Sequence, residues 1–259
     1  EVVPQGWFSI FWTTAFYQPI YNSLIYIISI IPGHDLGLSI ILLTILIRTI
    51  LLIPSQKALK SQRKMQELQP HLKKVQEKHK DNQEMLAKET MNLWKEHKVN
   101  PFGSCLPLVI QIPILFALYN VIQNGLNPSE SYLLYEPLKN FSVSTIHTNF
   151  LGILVLTKVN FFVLPLIVGG LQFLQMKLAL LRKNTTPTKE IAKKDKAPGT
   201  EMEMANQMMV YVMPVMIAVF TASVPAGVGL YWATSTIYGI IQQIVVNKQV
   251  ATALEAKNK

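Results

Sequence analysis

Cysteine, charge, basic residues near the start and acids within the apolar stretches are all scarce in this chain. The single cysteine, Cys105, excludes an internal disulfide and a cysteine-based metal site; it packs as a small apolar residue. Charged residues make up 15% of the chain against 50% hydrophobic, outside the range of soluble globular domains. No basic region precedes an apolar run near Glu1, so no intact signal peptide is read there. The 15 Asp and Glu and the five His all fall in loops or tails. That argues against a proton-coupled transporter, whose spans carry acidic or His relays. It argues equally against an intramembrane hydrolase, which needs a nucleophile–base pair or a metal cluster. No catalytic residue, metal or cofactor is expected.

Long apolar stretches are what the chain does have. A helix needs about 20 mostly apolar residues to cross a bilayer core, and five segments meet or approach that length: 36–55, 102–123, 159–181, 207–224 and 227–247. The last two are joined at Pro225-Ala226-Gly227 as an antiparallel hairpin. The opening segment, 7–31, is long enough to span, but Thr14, Gln18, Asn22 and Ser29 form a polar stripe and Pro19 interrupts it. Its richness in Trp, Phe and Tyr favours an amphipathic helix lying in the interface over a sixth span.

Charge then sets orientation. Most Lys and Arg lie in 56–101, in 182–205 and in the tail 248–259, whereas 1–35 has none and 123–157 has only Lys139. Positive residues mark the cytoplasmic side, so the N-terminus lies outside and the C-terminus inside. The net charge of +9 therefore has a topological explanation, and no direct nucleic-acid partner is expected. Within 57–98, Met65, Leu68, Leu72 and Val75 follow helical spacing, Leu86 and Leu93 repeat at seven, and Asp81-Asn82 forms a turn between the halves. Pro70 suits the first turn of a helix starting there. The pattern reads as a cytoplasmic helical hairpin, and it suits a partner-binding element and a charged linker equally well. The loop 182–205 has no periodicity, and 124–157 is an extracytoplasmic loop with no assigned role.

One residue is out of place. Arg48 lies near the middle of the 36–55 segment, where a charge costs at least ~2.5–3.5 kcal/mol. About seven residues at ~1.5 Å each separate it from the cytoplasmic end, too far for full snorkelling. With no acid at that depth, water or neutral polar groups must hold it. Thr44 shares its helix face one turn earlier. Gln111 lies in the second span, Gln172 and Gln175 in the third, and Thr234, Ser235 and Gln242 in the fifth. Singly, each is an ordinary interhelical hydrogen-bonding residue; together with Arg48 they suggest a hydrated, positively charged cavity within the membrane. An anion channel or small-solute carrier would use the same cation, and a membrane scaffold would not need it.

The motifs resemble those of YidC-type membrane protein insertases, the YidC/Oxa/Albino family. The resemblance rests on Gly37-Leu38-Ser39-Ile40 through Thr44 and Ile47-Arg48, on Leu68-Gln69-Pro70, and on Val99-Asn100-Pro101-Phe102-Gly103. It continues through Cys105-Leu106-Pro107, Ile110-Gln111-Ile112-Pro113-Ile114, Leu164-Pro165, Gln175, Met213-Pro214 and Leu230-Tyr231-Trp232. It implies an all-α integral membrane protein: five transmembrane helices around a hydrophilic groove, with an N-terminal interfacial amphipathic helix and a substrate-recruiting cytoplasmic hairpin. Arg48, Thr44, Gln175 and Trp232 carry over as groove residues. The implied activity is insertion and folding of membrane proteins without nucleotide hydrolysis, in the bacterial cell (inner) membrane rather than an organelle. Nascent membrane-protein clients and lipids are the implied partners, with the Sec translocon and ribosome beside them. Two departures stand out: no large extracytoplasmic domain precedes the core, and the short C-terminal tail weakens ribosome tethering.

Overall fold

The computed structural model describes residues 6–100, 106–180 and 208–257; the loop 182–205, Cys105 and the Pro101-Phe102-Gly103 motif lie outside them. The chain is mostly helical and divides into two compact units. The first comprises Glu1–Leu51, Leu108–Gln172 and Pro214–Tyr238; the second comprises Leu52–Pro107, Phe173–Met213 and Gly239–Lys259.

In the first unit, α1 (Trp7–Trp12) passes through a π turn (Thr13–Tyr17) into α2 (Gln18–Ile30). Pro19 cannot donate a backbone hydrogen bond, and the wider π turn just before it absorbs the mismatch. The polar stripe read along this segment does not simply face water. Gln18 and Asn22 donate to the Leu133 carbonyl at 3.1 and 3.0 Å, and Asn22 Oδ1 accepts from Tyr135 N at 2.7 Å. These side chains fasten α2 to the backbone of residues 133–135.

The tight turn at Gly33 and His34, both with positive φ, leads into α3 (Leu36–Ile50). Asp35 caps that helix by accepting from Leu38 N at 2.7 Å. Helix α6 (Leu106–Asn120) ends in a second π turn, Val121–Gly125. The loop that follows is a folded cap of three short 3-10 turns and a two-stranded ribbon, β1 (Asn149–Phe150) and β2 (Leu154–Val155). The expectation of an all-α chain therefore needs this small addition. Leu134, Val143 and Leu156 of the cap join Tyr21, Leu24, Ile25, Ile28, Leu36, Ile40 and Leu118 in one buried core. Helix α7 (Val163–Leu180) begins in this unit, as does α9 (Ala226–Lys257), which follows α8 (Met213–Thr221).

The second unit contains α4 (Leu52–Lys78) and α5 (Gln83–Glu96). Asn82 caps α5 by accepting from Met85 N at 2.9 Å. Leu68, Leu72 and Val99 form the buried centre of this helical hairpin, with Met65, Leu93 and Trp94 around them. Pro70 corrects the sequence reading: it lies inside α4 and starts no helix. Burial of Leu68 and Leu72 on either side holds the helix through the lost hydrogen bond.

Outside these cores, several helices bury polar side chains while exposing apolar ones. Helix α3 buries Ser39 and Thr44 yet exposes Leu38, Leu42, Ile45, Leu46 and Ile50. Helix α9 buries Ser235, Thr236, Gln242 and Gln243 and exposes Ile237, Ile241, Ile244 and Val245. Contiguous apolar faces of this extent suit lipid, not water. Among the described residues no single helix is long and apolar enough to cross a membrane. Only α3 and α4 taken together pass by length and composition. The reasons are local: π turns end the regular helices at Val121 and precede Met213, Leu51 separates α3 from α4, and polar residues dilute α9.

Candidate functional site

Arg48 occupies the last turn of α3, whose C-terminal residue is Ile50. The sequence placed it mid-span because apolar residues continue to Ile53, but those past Leu51 belong to α4. A cation at this end also meets the negative end of the helix dipole. Arg48 is half-buried. Its Nε donates to Ser235 Oγ at 2.7 Å, and Nη2 donates to Gln111 Oε1 at 3.3 Å. Gln111 Nε2 in turn donates to the Tyr231 hydroxyl at 2.8 Å. Helices α3, α6 and α9 thus share one polar network within the first unit. Among the described residues no carboxylate stands within ion-pair distance of Arg48; Lys139 pairs with Glu136 elsewhere.

The other residues singled out by sequence fall into distinct settings. Thr44 is buried and donates its hydroxyl proton to the Ile40 carbonyl at 2.6 Å. Its polarity is thus partly absorbed by its own helix. Gln172 is buried near the middle of α7. Trp232 is half-buried, with its ring edge-to-face on Phe220 at 5.9 Å. Gln175 belongs to the second unit, where its amide lies over Gly239 in space that a Cβ there would need. In that unit Gln242 accepts from Ser55 at 3.0 Å and donates to the Leu52 carbonyl at 3.4 Å.

Tyr231 and Tyr238 are the members that sequence reasoning missed. Tyr231 holds Gln111 in place, and the Tyr238 hydroxyl lies 3.3 Å from Thr49 Oγ1. The signal was present: Tyr231, Ser235 and Tyr238 repeat at four and three residues, one face of a helix. Tyr231 was read only as part of the Leu230-Tyr231-Trp232 motif, although a tyrosine hydroxyl is a polar handle on a large apolar ring.

Residues 27–253 match the family model described as 60Kd inner membrane protein. The chain is 36% identical over 217 residues to a protein of Fusobacterium nucleatum named membrane protein insertase YidC, covering 84% of this chain and 88% of that one. A protein of the same name from Oceanobacillus iheyensis is 32% identical over 241 residues, 92% of this chain and 84% of its own. The one from Geotalea daltonii is 31% identical over 254 residues; there the match covers 96% of this chain but 39% of the relative's length. With the family match covering most of its length, the chain belongs to the 60Kd inner membrane protein family, that of the YidC-type insertases.

Proposed function

We propose that this membrane protein insertase receives hydrophilic segments of its clients at Arg48. The observation that carries the reading is the coordination of that cation. Of five guanidinium N–H groups, two are engaged by neutral side chains, Ser235 and Gln111. Its positive charge is left without a carboxylate among the described residues. Such a site attracts a carboxylate on a client and releases it again, because no resident acid competes. The attraction is stronger away from bulk water, where screening is weak.

In this reading the transmembrane helices of the chain enclose a hydrophilic groove, and Arg48, Thr44, Gln111, Gln172 and Trp232 of the first unit belong to it. The groove admits water part-way into the bilayer and so shortens the apolar distance that a polar segment must cross. The apolar part of the client leaves sideways into lipid along the third and fifth spans. Binding and partition supply the free energy, with no nucleotide, metal or cofactor. In this reading the loop distribution of Lys and Arg puts the N-terminus outside and the C-terminus in the cytoplasm of a bacterial cell, and the hairpin of α4 and α5 recruits clients there. The Sec translocon and the ribosome are candidate partners.

Reconstitution of the purified chain in liposomes tests this. It should insert a short single-span client with an acidic translocated tail, with no added nucleotide and no accompanying anion flux. Anion flux without insertion would replace this reading with the channel.

A further inference from the structure

The ribbon formed by β1 and β2 ends in a tip of unusual chemistry. The strands pair antiparallel, with Asn149 opposite Val155 and Phe150 opposite Leu154, leaving Leu151-Gly152-Ile153 as the turn. Turns of this kind are normally built from Asn, Asp or Gly, which adopt positive φ at little cost. Here Leu151 takes φ +54 ahead of Gly152 at φ +71. A leucine in that region is disfavoured by its Cβ, and the turn is closed by Ile153 N donating to the Phe150 carbonyl at 3.2 Å. Leu151 and Ile153 are each 76% exposed.

The tip is also held firmly. Below it, Leu156 N donates to the Thr148 carbonyl at 2.9 Å, and Gly227 N donates to the Leu156 carbonyl at 2.8 Å. Ala226 N donates to the Lys158 carbonyl at 2.8 Å, and Leu36 N donates to the His147 carbonyl at 3.0 Å. Phe150 lies against Gly37, in the space a side chain would occupy. The ribbon is therefore fastened to the first residues of α3 and α9 within one unit. Phe161 and Phe162, 68% and 77% exposed, then run without a break into α7, whose Leu166 is 74% exposed. From Asn140 to Val163 there is no Asp or Glu, and Lys158 is exposed.

We infer that Leu151 and Ile153, with Phe161 and Phe162 beside the start of α7, form a membrane anchor. It inserts between lipid headgroups and acyl chains at the N-terminal ends of α3, α7 and α9. Lipid is the occupant these observations select. Phe161 and Phe162 lead directly along the chain into the exposed apolar residues of α7, the ribbon lies where apolar helices begin, and Lys158, in a stretch of sequence without Asp or Glu, matches anionic headgroups. The role accounts for the apolar turn: a polar tip would relieve the backbone but would not enter the bilayer. It also gives the loop 124–157 a function, as a rigid strut that fixes the depth of three helix ends.

The test uses the full chain with Cys105→Ser, reconstituted in phosphatidylethanolamine and phosphatidylglycerol vesicles. An environment-sensitive fluorophore is attached at Ile153→Cys and, separately, at the exposed loop position Ser144→Cys. The label at 153 should emit at shorter wavelength than the label at 144. It should be quenched by lipids carrying a nitroxide near the headgroup end of the acyl chain, and be at least about fivefold less accessible to aqueous iodide. Equal iodide access and no nitroxide quenching would overturn the anchor. Protection from iodide without nitroxide quenching would overturn it too, because protein rather than lipid would then cover the tip.

Discussion

Arg48 donates to Ser235 at 2.7 Å, across 187 positions of sequence, and this contact ties the end of α3 to α9. A serine hydroxyl can accept from the guanidinium without cancelling its charge, so the pair orients a cation that remains available.

Reversing the charge should be far worse than reshaping it. Arg48→Glu is expected to reduce insertion of a client with an acidic translocated tail by at least about tenfold, about 1.4 kcal/mol. Arg48→Lys should retain much of it, since Lys keeps the charge and loses the planar fork. Arg48→Leu should also fail, unlike in a scaffold. Insertion yield in proteoliposomes measures all three, and normal insertion by Arg48→Glu would remove the charge argument.

The two neutral partners should contribute separately. A hydrogen bond to a charged group is worth about 1.5–3 kcal/mol when its partner is removed. Ser235→Ala and Gln111→Leu are each expected to lower insertion less than Arg48→Glu does. Because Gln111 also accommodates Tyr231, Tyr231→Phe should reproduce part of the Gln111→Leu effect. In the Arg48→Lys background, which retains insertion but loses the planar fork, Ser235→Ala and Gln111→Leu should each cost less than in the parent chain, a double-mutant cycle that independent sites would not give.

Gly37 offers a stability test remote from the cation. A Cβ there would lie 2.1 Å from Phe150 Cδ2 and 2.6 Å from Phe150 Cγ. Cγ is near the fixed end of the side chain, so the ring cannot simply swing aside. Overpacking of this kind costs about 1–3 kcal/mol, against the ~1 kcal/mol that alanine gains over glycine in a helix. Gly37→Val should lower the Tm in detergent, and Phe150→Ala should restore part of the loss. A Tm unchanged by Gly37→Val would mean that the ribbon is not packed on α3.

Gly239 should behave differently. The atom nearest a Cβ built there is Gln175 Nε2 at 2.6 Å, the far end of a flexible side chain. Gly239→Ala should leave the Tm within a few degrees but displace the Gln175 amide. Crosslinking of nascent clients from a photoreactive group at 175 would then fall, while crosslinking at 232 would persist. Equal loss at both positions would point to general misfolding.

Much of this protein could be read from one dimension. Composition and the spacing of apolar runs determine a membrane protein, since a bilayer rewards long apolar segments whatever their neighbours. The hairpin of α4 and α5 was legible from local periodicity and the Asp81-Asn82 turn, because helix pairs of this kind use short-range contacts. Arg48 was conspicuous because a charge within apolar sequence needs a reason. What the sequence could not determine depended on distant partners. The break at Leu51, the continuity of α4 through Pro70, the link from Gln111 to Tyr231 and the packing of Phe150 on Gly37 are settled by residues far apart in the chain. Local propensities at those positions range from about a kilocalorie or less to about 3 kcal/mol for a proline inside a helix, and long-range packing outweighs them.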